Sequence, residues 1–205
     1  MIFRSRDPGP IGSSCRPIAG GVPCPGSRQT SGATGEARVA LAIALRTRRL
    51  LLARGYRVAM TRTGPTIHLG DGDGNIARAR FCNRRHAALM VRIHADGAAD
   101  RSLHGVSTLV PAWRRGWTND IYGRSVRAGR ALQKAVTRAT GAADRGIVQR
   151  TDLTGFNWAD VPVVLVESGF LSNPTEARRL KTAAYQQRVA LGLTRGVSAF
   201  LAGRS

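Results

Sequence analysis

The sequence predicts a single α/β domain built on a twisted, mostly parallel sheet with helices on both faces. Three observations lead there. From residue 36 onward, helical stretches alternate with short apolar ones, the pattern of strands and crossover helices. The run "VPVVLV" (161–166) is apolar at every position, as a strand buried on both faces requires. No apolar run approaches the roughly 20 residues needed to cross a bilayer.

Each element has its own justification. Residues 1–35 hold seven Gly, five Pro and five Ser without sustained periodicity, so they read as a long loop segment ahead of a folded body at 36–205. "EARVALAIALRTRRLLLARG" (36–55) is apolar on most faces for several turns and stops at Gly55, which suits a helix lying on a sheet and closed by a C-terminal glycine. "YRVAMTRT" (56–63) then reads as a strand. Further along come a helix around 75–87, strands at 88–93 and 105–110, a helix near 119–139, a strand at 162–167 and a last helix at 185–202.

Charge narrows the partners without choosing one. Thirty-two Lys and Arg against 12 Asp and Glu give a net charge of +20, and only Lys134 and Lys181 are lysines. Such a surface attracts polyanions, whether nucleic acid, acidic lipid or an anionic wall. Few aromatics interleave with the arginines, and no helix-turn-helix, RRM or zinc-finger spacing is present, so no specific nucleic-acid partner is expected. "MIFRSRDPG" offers neither an apolar core nor a small-residue cleavage site, so the chain as written carries no signal peptide. Cys15 and Cys24 leave two readings open, a disulfide, which implies export, and two unrelated thiols.

In open α/β sheets, ligands gather beyond the carboxyl ends of the strands. "LMVRIHADG" (89–97) delivers His94 there, and "VPVVLVESGFLSNP" (161–174) delivers Glu167. A strand-end histidine or glutamate taken alone is ordinarily structural, but two strands ending in titratable groups form a candidate site. Glu36 is a third group, in the first turn of its helix, where the macrodipole favours a carboxylate. An imidazole and a carboxylate as ligands, with a second carboxylate outside the metal shell, are most of a His₂Glu zinc-hydrolase set.

Four blocks in order, "GATGEARVALAIALRTRRLLLARGYRVAMTRT", "IARARFCNRRHAALMVRIHADG", "HGVSTLVP" and "LTGFNWADVPVVLVESGFLSN", resemble the zinc-dependent N-acetylmuramoyl-L-alanine amidases over roughly residues 34–201. The resemblance implies hydrolysis of the amide between N-acetylmuramic acid and L-alanine in peptidoglycan. It also implies zinc as cofactor, Glu36 and His94 as metal ligands and Glu167 as the catalytic carboxylate. A secreted or envelope location follows from it, and the chain is expected to act as a monomer. Arg78 and Asn83 match a family helix but receive no catalytic part. Phe156, Asn157 and Trp158 are candidates for lining the substrate groove, with core packing an equal reading for the aromatic pair.

One departure concerns the start. The family's first strand ends in "DPGH", whose histidine binds zinc, whereas "FRSRDPGPIGSS" has Pro10 where a direct alignment puts that histidine, and the stretch fits better with the long loop that some members insert between that motif and the metal-binding glutamate. His68, His86 and His104 match no metal position of the family. Two main readings of one fold therefore stand, a hydrolase whose third ligand lies outside the chain as given, and a degenerate amidase fold that binds peptidoglycan or a partner without cleaving it. A basic nucleic-acid-binding protein is the reading from another class.

Overall fold

A computed structural model of the chain describes residues 2–4, 35–65, 69 and 74–203. Its elements, in order, are β1 (Ile2–Arg4), α1 (Glu36–Leu52), β2 (Arg57–Ala59), α2 (Gly74–Asn83), β3 (Leu89–Asp96), β4 (Val106–Pro111), α3 (Tyr122–Thr140), β5 (Asp144–Arg150), α4 (Thr154–Asn157), β6 (Val163–Phe170), α5 (Pro174–Leu180) and α6 (Ala183–Ala202). The six strands form one sheet in the order β2-β1-β3-β6-β4-β5.

The sheet is mixed rather than mostly parallel. β3 with β6 and β4 with β5 are parallel, while β1 with β2, β1 with β3 and β4 with β6 are antiparallel. The reason lies between β3 and β4. A parallel return needs a crossover of about a dozen residues or more, usually a helix. Residues 97–105 are too few and form no helix, so β4 comes back the other way. The loop reading of residues 1–35 is corrected at Ile2–Arg4, which pair as a strand with both β2 and β3. Because Ile2 faces Met90 and Phe3 faces Leu89, β1 runs toward the edge of the sheet opposite His94.

Alternation along the strands feeds two cores. Leu89, Val91 and Ala95 of β3, Val164 and Val166 of β6, and Val106 and Val110 of β4 join residues of α1, α3 and α6 on one face. On the other, Met90, Val163, Leu165 and Leu109 pack with Cys82 of α2 and Phe156 of α4. Helices thus cover both faces, as expected. α3 and α6 approach closely because two residues of α6 are glycine. A Cβ on Gly192 would lie 2.7 Å from Val136 Cα, and one on Gly196 would lie 2.7 Å from Leu132 Cα.

Candidate active site

β3 and β6 bring the two strand-end residues side by side. His94 pairs in register with Glu167, and Ser107 at the start of β4 flanks Glu167 from the other side. Directly beyond this pair the β3–β6 register shifts between His94 and Asp96, a bulge of the kind that re-aims side chains beside functional sites. Gly169, at φ 138, makes the extra step on β6. The turn is then locked by Glu176 of α5, whose buried carboxylate accepts hydrogen bonds from the backbone N–H of Phe170 at 2.7 Å and of Gly105 at 3.0 Å. Asn173 caps α5, its side chain accepting from the N–H of Thr175 and of Glu176.

Glu36 reaches the site from the first turn of α1, which starts after Gly35 at φ 101. His94 Nδ1 donates to Glu36 Oε1 at 2.7 Å. Burial opposes ionisation of Glu36, but the hydrogen bond and charge of His94, with Ala95 N–H and Arg78, hold its pKa below the ordinary value. Burial also lowers the pKa of His94, helped by Arg92 and Arg78 and opposed by Glu36. The imidazole is therefore neutral at physiological pH, the form that binds metals. Glu167 is shifted the other way. Burial, then the negative charges of Asp96 and Glu36, push its pKa up to about 8 against the pull of Arg92 and Arg150. The group is 9% exposed and its Oε2 has no hydrogen-bond partner.

The structure thus brings all three expected residues to one edge of the sheet. Its donor set suits a borderline cation in part. A neutral imidazole and a carboxylate stand in hydrogen-bond contact, and an orphaned carboxyl oxygen stands on the neighbouring strand. Among the described residues, however, no cluster of three or more His, Cys, Asp or Glu is placed to hold a metal ion. His86 closes α2, exposed and at φ 46, and exposed His104 precedes β4 with Nδ1 3.0 Å from Ser102 O. His68, Pro10, Cys15 and Cys24 lie outside the described residues.

Arg92 is a site residue that sequence reasoning missed. It points to the same face of β3 as His94 and donates from Nη2 to Asn75 Oδ1 at 2.8 Å. Burial, with Arg78 nearby, lowers its pKa to about 10, so it remains a cation at neutral pH. Its guanidinium packs so closely on Gly155 of α4 that any side chain there would collide with Nη1. A signal was present in the sequence, a single arginine inside the apolar run "LMVRIHA" at the spacing that puts it on the face of His94. Arg78 lines, with Glu36, Arg92 and His94, a cavity of about 380 Å³ between α1, α2 and β3. Asn83 is structural, donating to Trp158 O and Asp160 Oδ2 and accepting from Asp160 N–H. Phe156 is fully buried core, while Trp158 carries the Arg80 guanidinium over its ring.

A family model described as N-acetylmuramoyl-L-alanine amidase matches residues 18–199. The chain belongs to the N-acetylmuramoyl-L-alanine amidase family. An amidase of that name from Mycobacterium tuberculosis is 32% identical over 171 residues, covering 77% of this chain and 65% of the relative. The amidase AmiA of Escherichia coli is 28% identical over 202 residues, covering 80% and 68%. The chain therefore spans about two thirds of the length of these relatives. The solved amidase of Mycobacterium smegmatis superposes with a TM-score of 0.74 at 28% identity, covering 82% of this chain and 78% of that one. That of Clostridium difficile 630 shares the fold at a TM-score of 0.73. Among the described residues, no helix of this amidase-family chain is long and apolar enough to cross a membrane.

Proposed function

We propose that the chain is a zinc-dependent hydrolase that cleaves the amide between the lactyl group of N-acetylmuramic acid and L-alanine in peptidoglycan, acting as a monomer in the cell envelope after export. The observation that carries this reading is a buried carboxyl raised to about 8, with its Oε2 lacking a hydrogen-bond partner, held one strand away from an imidazole–carboxylate pair. Membership of the amidase family supports the substrate.

Glu36 and His94 are two of the residues that would hold zinc, each an atom type that zinc accepts. When bound, zinc supplies Lewis acidity that polarises the scissile carbonyl and makes water nucleophilic near neutral pH. Glu167 does the proton work. Its ionised carboxylate takes a proton from the attacking water as the water oxygen bonds to the carbonyl carbon, then delivers that proton to the alanine nitrogen as the C–N bond breaks. The products are a lactyl carboxylate and a free amine, so one water is consumed. A raised pKa suits both halves of this task, since the same group must give up its proton and hold it near operating pH. Arg92 stays buried and cationic beneath the site, offsetting part of the negative charge of Glu167 when it ionises.

The test is to incubate the chain with a muramoyl peptide, with and without added zinc, and follow the new amine by mass spectrometry. Zinc-stimulated release of L-alanine-terminated peptide that disappears in Glu167→Gln supports the reading. Tight binding of the peptide without cleavage at any zinc level would favour the degenerate, non-catalytic fold instead.

A further inference from the structure

Away from the site, on the face of the sheet covered by α1, α3 and α6, the outward side of α3 has an unusual charge pattern. The helix contains Arg124, Arg127, Arg130, Lys134 and Arg138 and no acidic residue. Arg127, Arg130, Lys134 and Arg138 are all exposed, and none is in an ion pair with another of the described residues. Spacings of three, four and four residues place them in single file, about 4.5–6 Å apart along the axis. The opposite side, with Ala128, Leu132 and Val136, is in the core. Such a row works against the helix itself. Like charges three and four apart repel, and the first turn, where a carboxylate would be favoured, holds an arginine.

At the N-terminal end of α3 the chain presents "WRRGW" (113–117). Trp113 is 56% exposed and Trp117 38%, two of the few large apolar side chains left in water. The turn that carries them is closed by hydrogen bonds. The N–H groups of Trp117, Thr118 and Asn119 all donate to Arg114 O, Thr118 Oγ1 donates to Ala112 O, and Gly116 N–H donates to Asn119 Oδ1. The Arg114 guanidinium stacks 4.6 Å from the Trp117 ring centroid and donates to Thr151 O, while Arg115 is exposed. Aromatic rings held out by a hydrogen-bonded turn lose little freedom when something stacks on them.

We infer that the cationic file on α3 and the Trp113–Trp117 turn together dock a linear anionic polysaccharide, the file meeting its phosphate or carboxylate groups and the indoles stacking on its sugar rings. One row matches one extended polymer chain, whereas a bilayer would be met along a single line only. Choosing a polysaccharide over a nucleic acid rests on the wall-hydrolase reading above. The role is anchorage, since the α3 file lies across the sheet from Glu167.

The experiment measures affinity of the full chain over a salt series for polygalacturonate, phosphate-bearing mannan, neutral dextran, oligo(dT) and phosphatidylglycerol vesicles. Binding of either or both anionic polysaccharides, with none of dextran, supports the inference, and the preferred probe identifies carboxylate or phosphate as the group read. R127E/K134E should weaken that binding by about tenfold and lower the salt slope by about 1 to 2, while W113A should weaken it several-fold with the slope unchanged. Both variants should keep wild-type circular dichroism and wild-type cleavage of a small muramoyl peptide. Unchanged affinity in the variants overturns the inference, as does tighter binding of oligo(dT) or of the vesicles. If the wild type binds the polysaccharide but cleaves no muramoyl peptide, the amidase reading alone fails. If it cleaves and the variants bind as well as the wild type, this inference alone fails.

Discussion

Glu167→Gln removes a carboxyl that is 9% exposed, lacks a partner at Oε2 and keeps its proton up to about 8. In the unfolded chain the same group ionises near its ordinary value of 4.5. Between those values the folded state binds more protons than the unfolded one, so this group's contribution to stability is fully present below 4.5 and is lost as pH rises toward 8. The slope in that window approaches about 1.4 kcal/mol per pH unit. Across that window wild type should lose several kcal/mol through Glu167 alone. Glutamine carries no proton to lose, and any packing cost of its amide is the same at both ends of the range. Urea unfolding of metal-free wild type and variant at the two pH values reads the difference directly. The variant should be the more stable protein at the alkaline end while its turnover falls by about 10²–10⁴ for loss of a general base. If both proteins showed the same pH dependence, Glu167 would be an ordinary ionised carboxylate, and the argument from burial and from Asp96 and Glu36 would be wrong.

Other outcomes follow from the same geometry. His94→Ala should lose any zinc-dependent rise in Tm, whereas Glu167→Gln should keep it; thermal melts over a zinc titration decide between them. The rate at limiting substrate should climb with pH as Glu167 ionises and then level off, a rise that Glu167→Gln abolishes; a rate independent of pH in wild type would contradict the assignment. Gly196→Ala should destabilise the fold by about 2 kcal/mol, because its Cβ would meet backbone of α3 that cannot move aside, at Leu132 Cα and Ala131 O. Gly155→Ala should displace Arg92 from its slot and lower activity more than stability, read as kcat against urea midpoint.

The parts of this fold that were legible in the sequence are those where one physical rule decides. The first half of β6, Val163–Val166, is apolar at every position because both its faces are buried, and the strand-end rule then placed Glu167 and, on β3, His94 at the same edge. Glu36 was legible because a carboxylate in the first turn of a helix on that edge has few places to point. The direction of β4 depended on the length of its connection to β3, which hydropathy does not report. β5, "DRGIVQR", escaped notice because it is an edge strand with much of its length in water, so no apolar alternation marks it. α4 and α5 are too short for helical periodicity to emerge, and α5 is held by the Asn173 cap and by Glu176 rather than by pattern. Arg92 shows the limit most clearly. A guanidinium inside a strand contradicts the hydropathy that identifies the strand, and only the backbone of Gly155, 63 residues later in the chain, explains how it fits. The same contradiction has a use at the site. The buried Arg92 cation eases the ionisation of Glu167 that burial and the charges of Asp96 and Glu36 oppose, so under the proposed mechanism it helps keep the proton of Glu167 exchangeable.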